Sequence, residues 1–351
     1  MPPEAVIGWD LGGAHVKAAR LDAAGRVECV VQLPCPLWRG LAELEQALEA
    51  AVAALGPTAT HAVTMTGEMV DLFATREDGV ACLVAAMRAR FTGLRFYAGE
   101  AGFLAEDEAT GAGLRLASAN WMATAALVAA RIPDALLVDI GSTTTDIVPV
   151  RQGRIRAAGR DDAGRLEARE LVYTGVVRTP VMALAAEVPF GGRSVPLMAE
   201  LFATTADVHR LSGRLPPGAD RHPAADGGDK TAAGSARRLA RMIGRDMDAA
   251  PLDDWRRLAQ WLAGAQSRRI EAACDLVLAR ESLPADAPLV AAGVGRFLVA
   301  DLAARLDRRC LDFARLLPDA GPEPDQASDC APAVAVAWLS QGRGGAGLPP
   351  D

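Results

Sequence analysis

Aromatic residues are scarce in this sequence: they make up 5% of its 351 positions, although half of the chain is hydrophobic. Such a composition supplies enough aliphatic side chains for a large core and argues against a disordered chain. Six cysteines are present, but no C-x-x-C pair occurs and no cysteine–histidine group has the spacing of a zinc site. We therefore expect reduced, mostly buried thiols, and neither a zinc centre nor an iron–sulfur cluster.

An excess of positive charge is also missing. The chain carries 37 basic and 44 acidic residues, for a net charge of −7. A general nucleic-acid binder needs a basic face that displaces counterions, so this composition argues against one. No stretch approaches the ~18 uninterrupted apolar residues of a membrane span, and the N-terminus lacks the features of a signal peptide. We expect a cytoplasmic protein without nucleic-acid or membrane partners.

The length fits two domains of roughly 150 residues each. Near the N-terminus, an apolar run at 5–10 ends in Asp10 and is followed by a glycine turn. Further strands are predicted at 15–21 and 26–33, separated by a second turn. The segment is therefore predicted to be a β-meander.

A similar pattern returns near the middle of the chain. An apolar run at 135–139 ends in Asp139, and a glycine turn and strands at 144–150 and 154–157 follow. Overlaying Asp10 on Asp139 places Gly12 on Gly141 and Lys17 on Asp146. A shared order of strand, acid, glycine turn and strand indicates an internal duplication.

Strands and helices alternate after both meanders, which predicts mixed sheets covered by helices. A proline at 133 favours a boundary there, so the predicted domains are 1–133 and 134–351. The second domain contains a mainly helical insertion at about 159–280. Predicted helices are 41–54, 80–90, 117–131, 232–246, 252–278, one from 296, and 331–339, and the predicted later strands are 61–65, 94–97, 288–292 and 310–313.

The glycine turns at equivalent strand ends predict a phosphate site. If the meanders face each other across a cleft, glycine lets the backbone come close enough for N–H groups to point at phosphate oxygens. Hydroxyl groups add donors, and Lys17 supplies a positive charge suited to phosphate. A glycine turn after strand 288–292 is a further candidate, although strand-to-helix geometry alone often requires glycine. The predicted phosphate-binding residues are Gly12, Gly13, Gly141, Ser142, Thr143, Thr144, Thr145, Gly293 and Gly295.

Three carboxylates lie at or near the predicted strand ends: Asp10, Asp139 and Asp146. Beside a phosphate they would repel it unless a cation intervenes. Mg²⁺ suits this position because it uses few carboxylates together with waters and phosphate oxygens. We therefore predict that these three residues hold Mg²⁺.

Other polar residues have two interpretations each. His15 lies beside the first glycine turn and either lines the cleft or faces solvent. Glu68 and Glu100 follow strands, where α/β sites form, but acids at these positions also cap helices. Asn120 is a candidate for substrate binding or a helix cap. His209 and His222 have no metal-like spacing and are predicted in surface or loop positions.

The paired meanders resemble the acetate and sugar kinase/Hsp70/actin superfamily. Its three phosphate and adenosine motifs would correspond to 10–17, 139–146 and 292–295. The resemblance implies an α/β architecture of two duplicated, ribonuclease-H-like domains, as in actin and sugar kinases.

Three motifs, at 7–14, 66–68 and 138–146, resemble the hydantoinase/oxoprolinase-like family more closely. Motifs in the insertion are similar to a subgroup linked to tetrahydromethanopterin-dependent C1 transfer, which is similar to an archaeal synthase of methanofuran biosynthesis. The insertion motifs are 173–180, 202–208, 225–227 and 238–242.

The subgroup resemblance implies an ether-forming transferase in methylofuran biosynthesis. It would join an aminomethyl-furanmethanol diphosphate to the phenol of a tyrosine or tyramine unit and release diphosphate. Lys17, Asp139 and His15 would be catalytic, and either a carboxylate or His15 would accept the phenol proton. Arg178, with the insertion, would bind the acceptor's carboxylate or close the cleft. ATP is not expected to be required.

Two other functions remain open at this point. An ATP-dependent small-molecule kinase, or a hydantoinase-type ATPase subunit, would need an open adenosine pocket near Gly293 and Gly295. A non-catalytic interaction protein is the second alternative. The sequence also leaves open the acceptor, the general base, and whether the protein is a monomer or a homodimer.

Overall fold

A computed structural model describes residues 4–342; the first three and last nine residues of the predicted domains lie outside this range. The strands are β1 Val6–Leu11, β2 His15–Leu21, β3 Val27–Pro34, β4 Thr60–Met65, β5 Leu94–Tyr97, β6 Phe103–Ala105, β7 Ala135–Ile140, β8 Thr145–Arg151, β9 Arg154–Ile155, β10 Leu171–Val172, β11 Glu187–Phe190, β12 Arg193–Pro196, β13 Leu289–Ala292 and β14 Cys310–Asp312. The α-helices are α1 Leu41–Leu55, α2 Arg76–Arg90, α3 Glu106–Ala109, α4 Asn120–Arg131, α5 Asp162–Glu167, α6 Thr205–Leu211, α7 Ala232–Met242, α8 Leu252–Glu281, α9 Arg296–Arg305, α10 Pro324–Asp329 and α11 Ala331–Ser340.

Two mixed sheets repeat one arrangement. The first sheet has the order β3-β2-β1-β4-β5-β6, and the second has the order β10-β8-β7-β13-β14, with β9 also paired to β8. In the first, β1 is antiparallel to β2 and parallel to β4. In the second, β7 is antiparallel to β8 and parallel to β13. The predicted duplicated α/β fold is therefore confirmed.

Strand register confirms the overlay of the two meanders. Asp10 lies opposite Lys17 in the first sheet. Asp139 lies opposite Asp146 in the second. Because side chains alternate strictly along strands, an equal register places each pair at the same position relative to its own glycine turn.

The two sheets exchange helices. The helix α4 follows the first sheet in sequence but packs on β7 and β8, whereas α11, at the C-terminal end, packs on β1, β2 and β4. The same two helices also pack against each other. Nearly every side chain of α11 is buried, which suits its run of alanine and valine. The sheets and exchanged helices thus share one hydrophobic cluster.

The insertion is mainly helical, and α6, α7 and α8 pack on one another around their own core. A buried Arg238 joins α7 to α6 through Asp207 and also pairs with Asp226. Several insertion elements were not predicted from the sequence: α5, β10, α6 and the β11–β12 hairpin. The predicted surface or loop position of His209 is wrong, because His209 is fully buried in α6 and hydrogen-bonds to Gln266.

All six cysteines are unpaired, as expected, although burial is complete for three of them and Cys310 is exposed. Across residues 4–342 the structure has no helix that is both long and apolar enough to cross a bilayer.

Gly8 permits the close approach of β1 and α11. A Cβ atom at Gly8 would lie 2.0 Å from the Ala333 carbonyl oxygen and 2.8 Å from the Ala337 Cβ. We expect Gly8→Ala to lower the free energy of unfolding by about 3 kcal/mol, because the helix backbone must move. Urea unfolding measures this change. Gly111→Ala is the control, because no atom lies within 4 Å of its added Cβ; equal stability of the two variants would contradict the prediction.

His61 links stability to pH. Trp9 donates to His61 Nδ1 at 3.1 Å, and burial lowers the pKa of His61 from 6.5 to about 4. Between these values the unfolded chain binds a proton that the folded chain does not, so stability falls as pH falls, by at most about 1.4 kcal/mol per pH unit. His61→Asn keeps an acceptor for Trp9 but does not titrate.

Relative to His61→Asn, the wild-type protein should lose about 2 kcal/mol between about pH 7 and pH 5, with no change above about pH 7. Urea titrations of both proteins at each pH give the difference. Buried carboxylates with a raised pKa affect the pH dependence of stability in the opposite direction. Both proteins contain them, so their contribution cancels in the difference between the two free energies of unfolding. A difference that does not depend on pH would show that His61 titrates normally in the folded protein.

Candidate functional site

A cavity of about 640 Å³ lies between the two sheets, where both glycine turns meet. We call it the central cavity. It brings together residues from the two meanders, from the start of α4 and from the insertion. The predicted site residues that line it are Asp10, Gly12, Gly13, His15, Lys17, Asn120, Asp139, Gly141, Ser142, Thr143, Thr144, Asp146 and Arg178.

Both turns are closed by an equivalent hydrogen bond. The Gly12 N–H donates to the His15 carbonyl at 3.0 Å, and the Gly141 N–H donates to the Thr144 carbonyl at 2.8 Å. These two amides are therefore used within the turns and do not point at a ligand. The N–H groups free to bind an anion, having no protein acceptor among the described residues, are those of Gly13, Ala14, Ser142, Thr143 and Thr144.

Lys17, one of two lysines in the chain, lines the central cavity together with Arg165 and Arg178. Burial would lower its pKa, but the negative charges of Asp10 and Asp139 raise it above its usual range. Among the described residues, no carboxylate oxygen lies within 4.0 Å of the Lys17 ammonium group, so Lys17 forms no ion pair there. Lys17 is therefore charged and available to an anionic ligand.

The three carboxylates differ in their surroundings. Burial raises the pKa of Asp10 to about 6 and that of Asp139 to about 7, while Lys17 acts against both shifts. The Asp10 Oδ1 atom is buried without a hydrogen-bond partner. Asp146 instead accepts a hydrogen bond from Arg165 at 2.8 Å, so its charge is already paired.

These carboxylates fit a Mg²⁺ ion shared with a ligand better than a complete protein metal centre. Within residues 4–342 no group of three or more Asp, Glu, His or Cys side chains is placed to hold a metal by itself. The unpartnered Oδ1 of Asp10 nevertheless calls for a cation or a proton. Mg²⁺ commonly binds through one or two carboxylates and substrate phosphates, which matches Asp10 and Asp139.

Five predicted site residues lie outside the central cavity. The Thr145 hydroxyl is buried and donates to the Thr174 carbonyl at 2.7 Å. Glu68 is buried and accepts hydrogen bonds from Arg76 and from Ser118, which itself lines the cavity. The exposed Glu100 forms an ion pair with Arg160.

The other two predicted site residues outside the cavity, Gly293 and Gly295, belong to the glycine turn at 293–295. A Cβ at Gly293 would lie 2.3 Å from Asp139 Oδ1, and one at Gly295 would lie 2.4 Å from the Ile140 side chain. The turn packs directly on the end of β7. Close packing of strands and helix therefore accounts for both glycines without a ligand.

His15 is buried beside a second histidine. Its ring centroid lies 4.8 Å from that of His222, and its Nε2 atom has no hydrogen-bond partner. Burial, reinforced by His222 and nearby cations, lowers the pKa of His15 to about 2, so the ring is neutral. His222, predicted in a surface or loop position, is half-buried in a loop and its Nε2 hydrogen-bonds to the Ala14 carbonyl at 2.9 Å.

Sequence reasoning missed several residues of the central cavity. Trp38 packs under the Arg178 guanidinium, whose Cζ lies 4.9 Å from the ring centroid. Arg165 stacks on Trp121 at 4.1 Å and binds Asp146. No sequence signal marks these residues, because neither the segment around Trp38 nor α5, which contains Arg165, matches a recognised motif. Other missed lining residues are Thr66, Ser118, Asp162 and Tyr173.

Comparison with known proteins identifies the family. The sequence profile of the hydantoinase/oxoprolinase family matches residues 59–337. A (4-{4-[2-(gamma-L-glutamylamino)ethyl]phenoxymethyl}furan-2-yl)methanamine synthase of Methanocaldococcus jannaschii is 30% identical over 299 residues, covering 84% of this chain and 88% of that protein. The synthase of the same name from Methanococcus vannielii is 38% identical over 80 residues, 23% of this chain and 36% of that protein.

Among solved structures, nucleotide-free acetone carboxylase is similar to 85% of this chain and 67% of that chain, with a TM-score of 0.54 and 12% identity. At this identity the likeness concerns the fold alone. The profile match spans most of the chain, and the archaeal relative is similar over nearly its whole length. The chain belongs to the hydantoinase/oxoprolinase family.

Proposed function

We propose that this protein is a transferase that forms an aryl ether. Its substrates are an aminomethyl-furanmethanol diphosphate and the phenol of a tyrosine- or tyramine-type acceptor, and its pathway makes a methanofuran-like cofactor, methylofuran. The name of the Methanocaldococcus relative supports this proposal, because its product contains a phenoxymethyl group on a furan. That relative and this chain are similar over most of both lengths.

The bond changes balance without a redox partner. The bond between the furanylmethyl carbon and the diphosphate oxygen breaks, and its electron pair leaves with diphosphate. A lone pair of the phenol oxygen forms the new C–O bond, and the phenol proton passes to a base. Since a furanylmethyl carbon tolerates positive charge, the enzyme mainly has to stabilise diphosphate and aim the phenol.

The observation that carries the proposal is the unpaired Lys17 ammonium in the same cavity as free turn amides. Diphosphate gains negative charge as it leaves. An ammonium group and preoriented N–H donors stabilise such charge in a site that excludes water. The hydroxyl groups of Ser142, Thr143 and Thr144 would add donors.

Asp10 and Asp139 are the residues that would hold a Mg²⁺ ion together with the diphosphate. Such an ion supplies positive charge that offsets the charge of the leaving group. The pairing of Asp146 with Arg165 would then keep a third negative charge away from the phosphates.

The phenol proton can pass either to a carboxylate of the cavity or to His15. A free phenol has a pKa of about 10, so its oxygen gains nucleophilicity as the proton leaves. Burial among cations makes His15 a weak base, with a pKa of about 2. We therefore propose that a carboxylate of the cavity that does not hold the metal ion accepts the proton, and that the neutral His15 has a positioning role.

Purified protein with Mg²⁺, the furanmethyl diphosphate and a tyrosine or γ-glutamyltyramine acceptor should give ether and free diphosphate without ATP. Mass spectrometry of the product and a diphosphate assay measure both. Ether that appears only with ATP, or ATP hydrolysis without ether, would support the ATP-dependent kinase or ATPase alternative and overturn the proposal. The packed turn at Gly293 and Gly295 gives no reason to expect an ATP requirement.

Lys17→Met keeps the length and apolar stem of the side chain but removes the ammonium. We expect kcat to fall by about 10²–10³-fold, because the charge on the departing diphosphate loses its cation. Lys17→Arg, which keeps a positive charge, should retain more activity. Single-turnover rates of ether formation test both variants, and an unchanged rate in Lys17→Met would remove Lys17 from the mechanism.

A further inference from the structure

A second cavity, of about 790 Å³, adjoins the central cavity. We call it the side cavity. Trp38 and Arg178 line both cavities and so form the boundary between them. One wall of the side cavity comes from the segment after β3 and from α1, and the other comes from the insertion, including residues 177–180 and 220–225.

The side cavity contains unneutralised positive charge. Arg39, Arg178 and Arg221 line it, and none has a carboxylate within 4.0 Å among the described residues. Arg210, which also lines it, is paired with Asp207 and Asp220. Unpaired guanidinium groups bind carboxylates through two parallel hydrogen bonds, so the cavity favours an anionic ligand.

One acid of the side cavity is also unpaired. Glu43, in the first turn of α1, has no ion pair within 4.0 Å in the described part of the chain. An amino-acid group carries an ammonium beside its carboxylate, and Glu43 together with the arginines matches both charges. Trp38, Pro36 and Val177 supply apolar surface toward the boundary.

His222 gives the boundary a hydrogen-bond acceptor for a hydroxyl group. His222 Nε2 lies 2.9 Å from the Ala14 carbonyl oxygen, which can only accept, so His222 carries its proton on Nε2. Its Nδ1 atom has no hydrogen-bond partner among residues 4–342 and is an acceptor for a hydroxyl group. The His222 ring lies beside the rings of both Trp38 and His15, with centroid distances of 5.7 and 4.8 Å.

We propose that the side cavity binds the phenolic acceptor, with its amino-acid carboxylate held by Arg39 and Arg221 and its phenol directed past Trp38 and His222 into the central cavity. This inference rests on the proposed function and specifies its second substrate: an acceptor that carries a free amino-acid carboxylate, as tyrosine and γ-glutamyltyramine do and tyramine does not. A volume of about 790 Å³ lies within the usual range for small-molecule sites.

Arg39→Ala and Arg221→Ala test the proposal, because both side chains are exposed and their loss does not disturb the core. Each variant should raise the KM for the carboxylate-bearing acceptor by about tenfold, the value of one charge-assisted hydrogen bond. The kcat and the KM for the furan diphosphate should stay unchanged. The wild-type preference for γ-glutamyltyramine over tyramine should decrease in both variants.

Arg237→Ala is the matched control: Arg237 is an exposed arginine of the insertion that does not line the side cavity. It should behave as the wild-type protein. Unchanged acceptor KM in both Arg39→Ala and Arg221→Ala, or a rise in the KM for the diphosphate instead, would overturn the proposal.

Calorimetric titration with γ-glutamyltyramine alone separates this inference from the proposed function. If no ether forms but the ligand binds the wild-type protein and binds Arg39→Ala and Arg221→Ala about tenfold more weakly, the cavity assignment stands and the transferase proposal fails. If ether forms but binding is equal in all variants, the transferase proposal stands and the acceptor lies elsewhere.

Discussion

The central constraint in this structure is negative charge held at the ends of two equivalent buried strands. Asp10 lies near the end of β1 and Asp139 near the end of β7, and both strands are inner strands of their sheets. Burial raises the pKa of both carboxyl groups. Lys17 lies opposite Asp10 and is the cation that most directly opposes both shifts. Because burying charge without compensation is costly, Lys17 and the raised pKa values of the two carboxyl groups together limit the uncompensated negative charge of the site.

Holding these two strand ends at a fixed separation requires rigid sheets, and the exchanged helices provide the rigidity. The apolar α11 lies against β1 so closely that only a glycine fits at position 8. On the other sheet, α4 packs on β7 and β8 while its first residue, Asn120, lines the cavity and opposes the pKa shift of Asp10. The packing of α4 on the second sheet therefore also positions Asn120 beside Asp10 of the first sheet.

The sequence was sufficient for the architecture because duplication doubles the signal. The acid, the glycine turn and the following strand recur at Asp10 and Asp139, and the observed registers agree with the overlay. Contacts that depend on tertiary packing could not be predicted from the sequence, because no repeated pattern marks them. The amides of Gly12 and Gly141 close their own turns, and the turn at 293–295 fits tightly on β7. The side cavity joins residues about 180 positions apart, such as Arg39 and Arg221, and no local pattern encodes such a meeting.

Two adjoining cavities suit a reaction between an electrophile that water would destroy and a weak nucleophile. A furanylmethyl centre that develops positive charge reacts with whichever oxygen is nearest, so the phenol has to replace water before the bond to diphosphate breaks. Under the proposed function, a separate acceptor cavity allows this order. The neutral His15 and His222 are important here: a protonated pair would add to the positive charge of Arg178 at the boundary and repel the charge developing on the furan, whereas burial lowers the pKa of both rings. In this arrangement Lys17 would stabilise the diphosphate, Arg39 and Arg221 would hold the carboxylate, and the new bond would form between these groups.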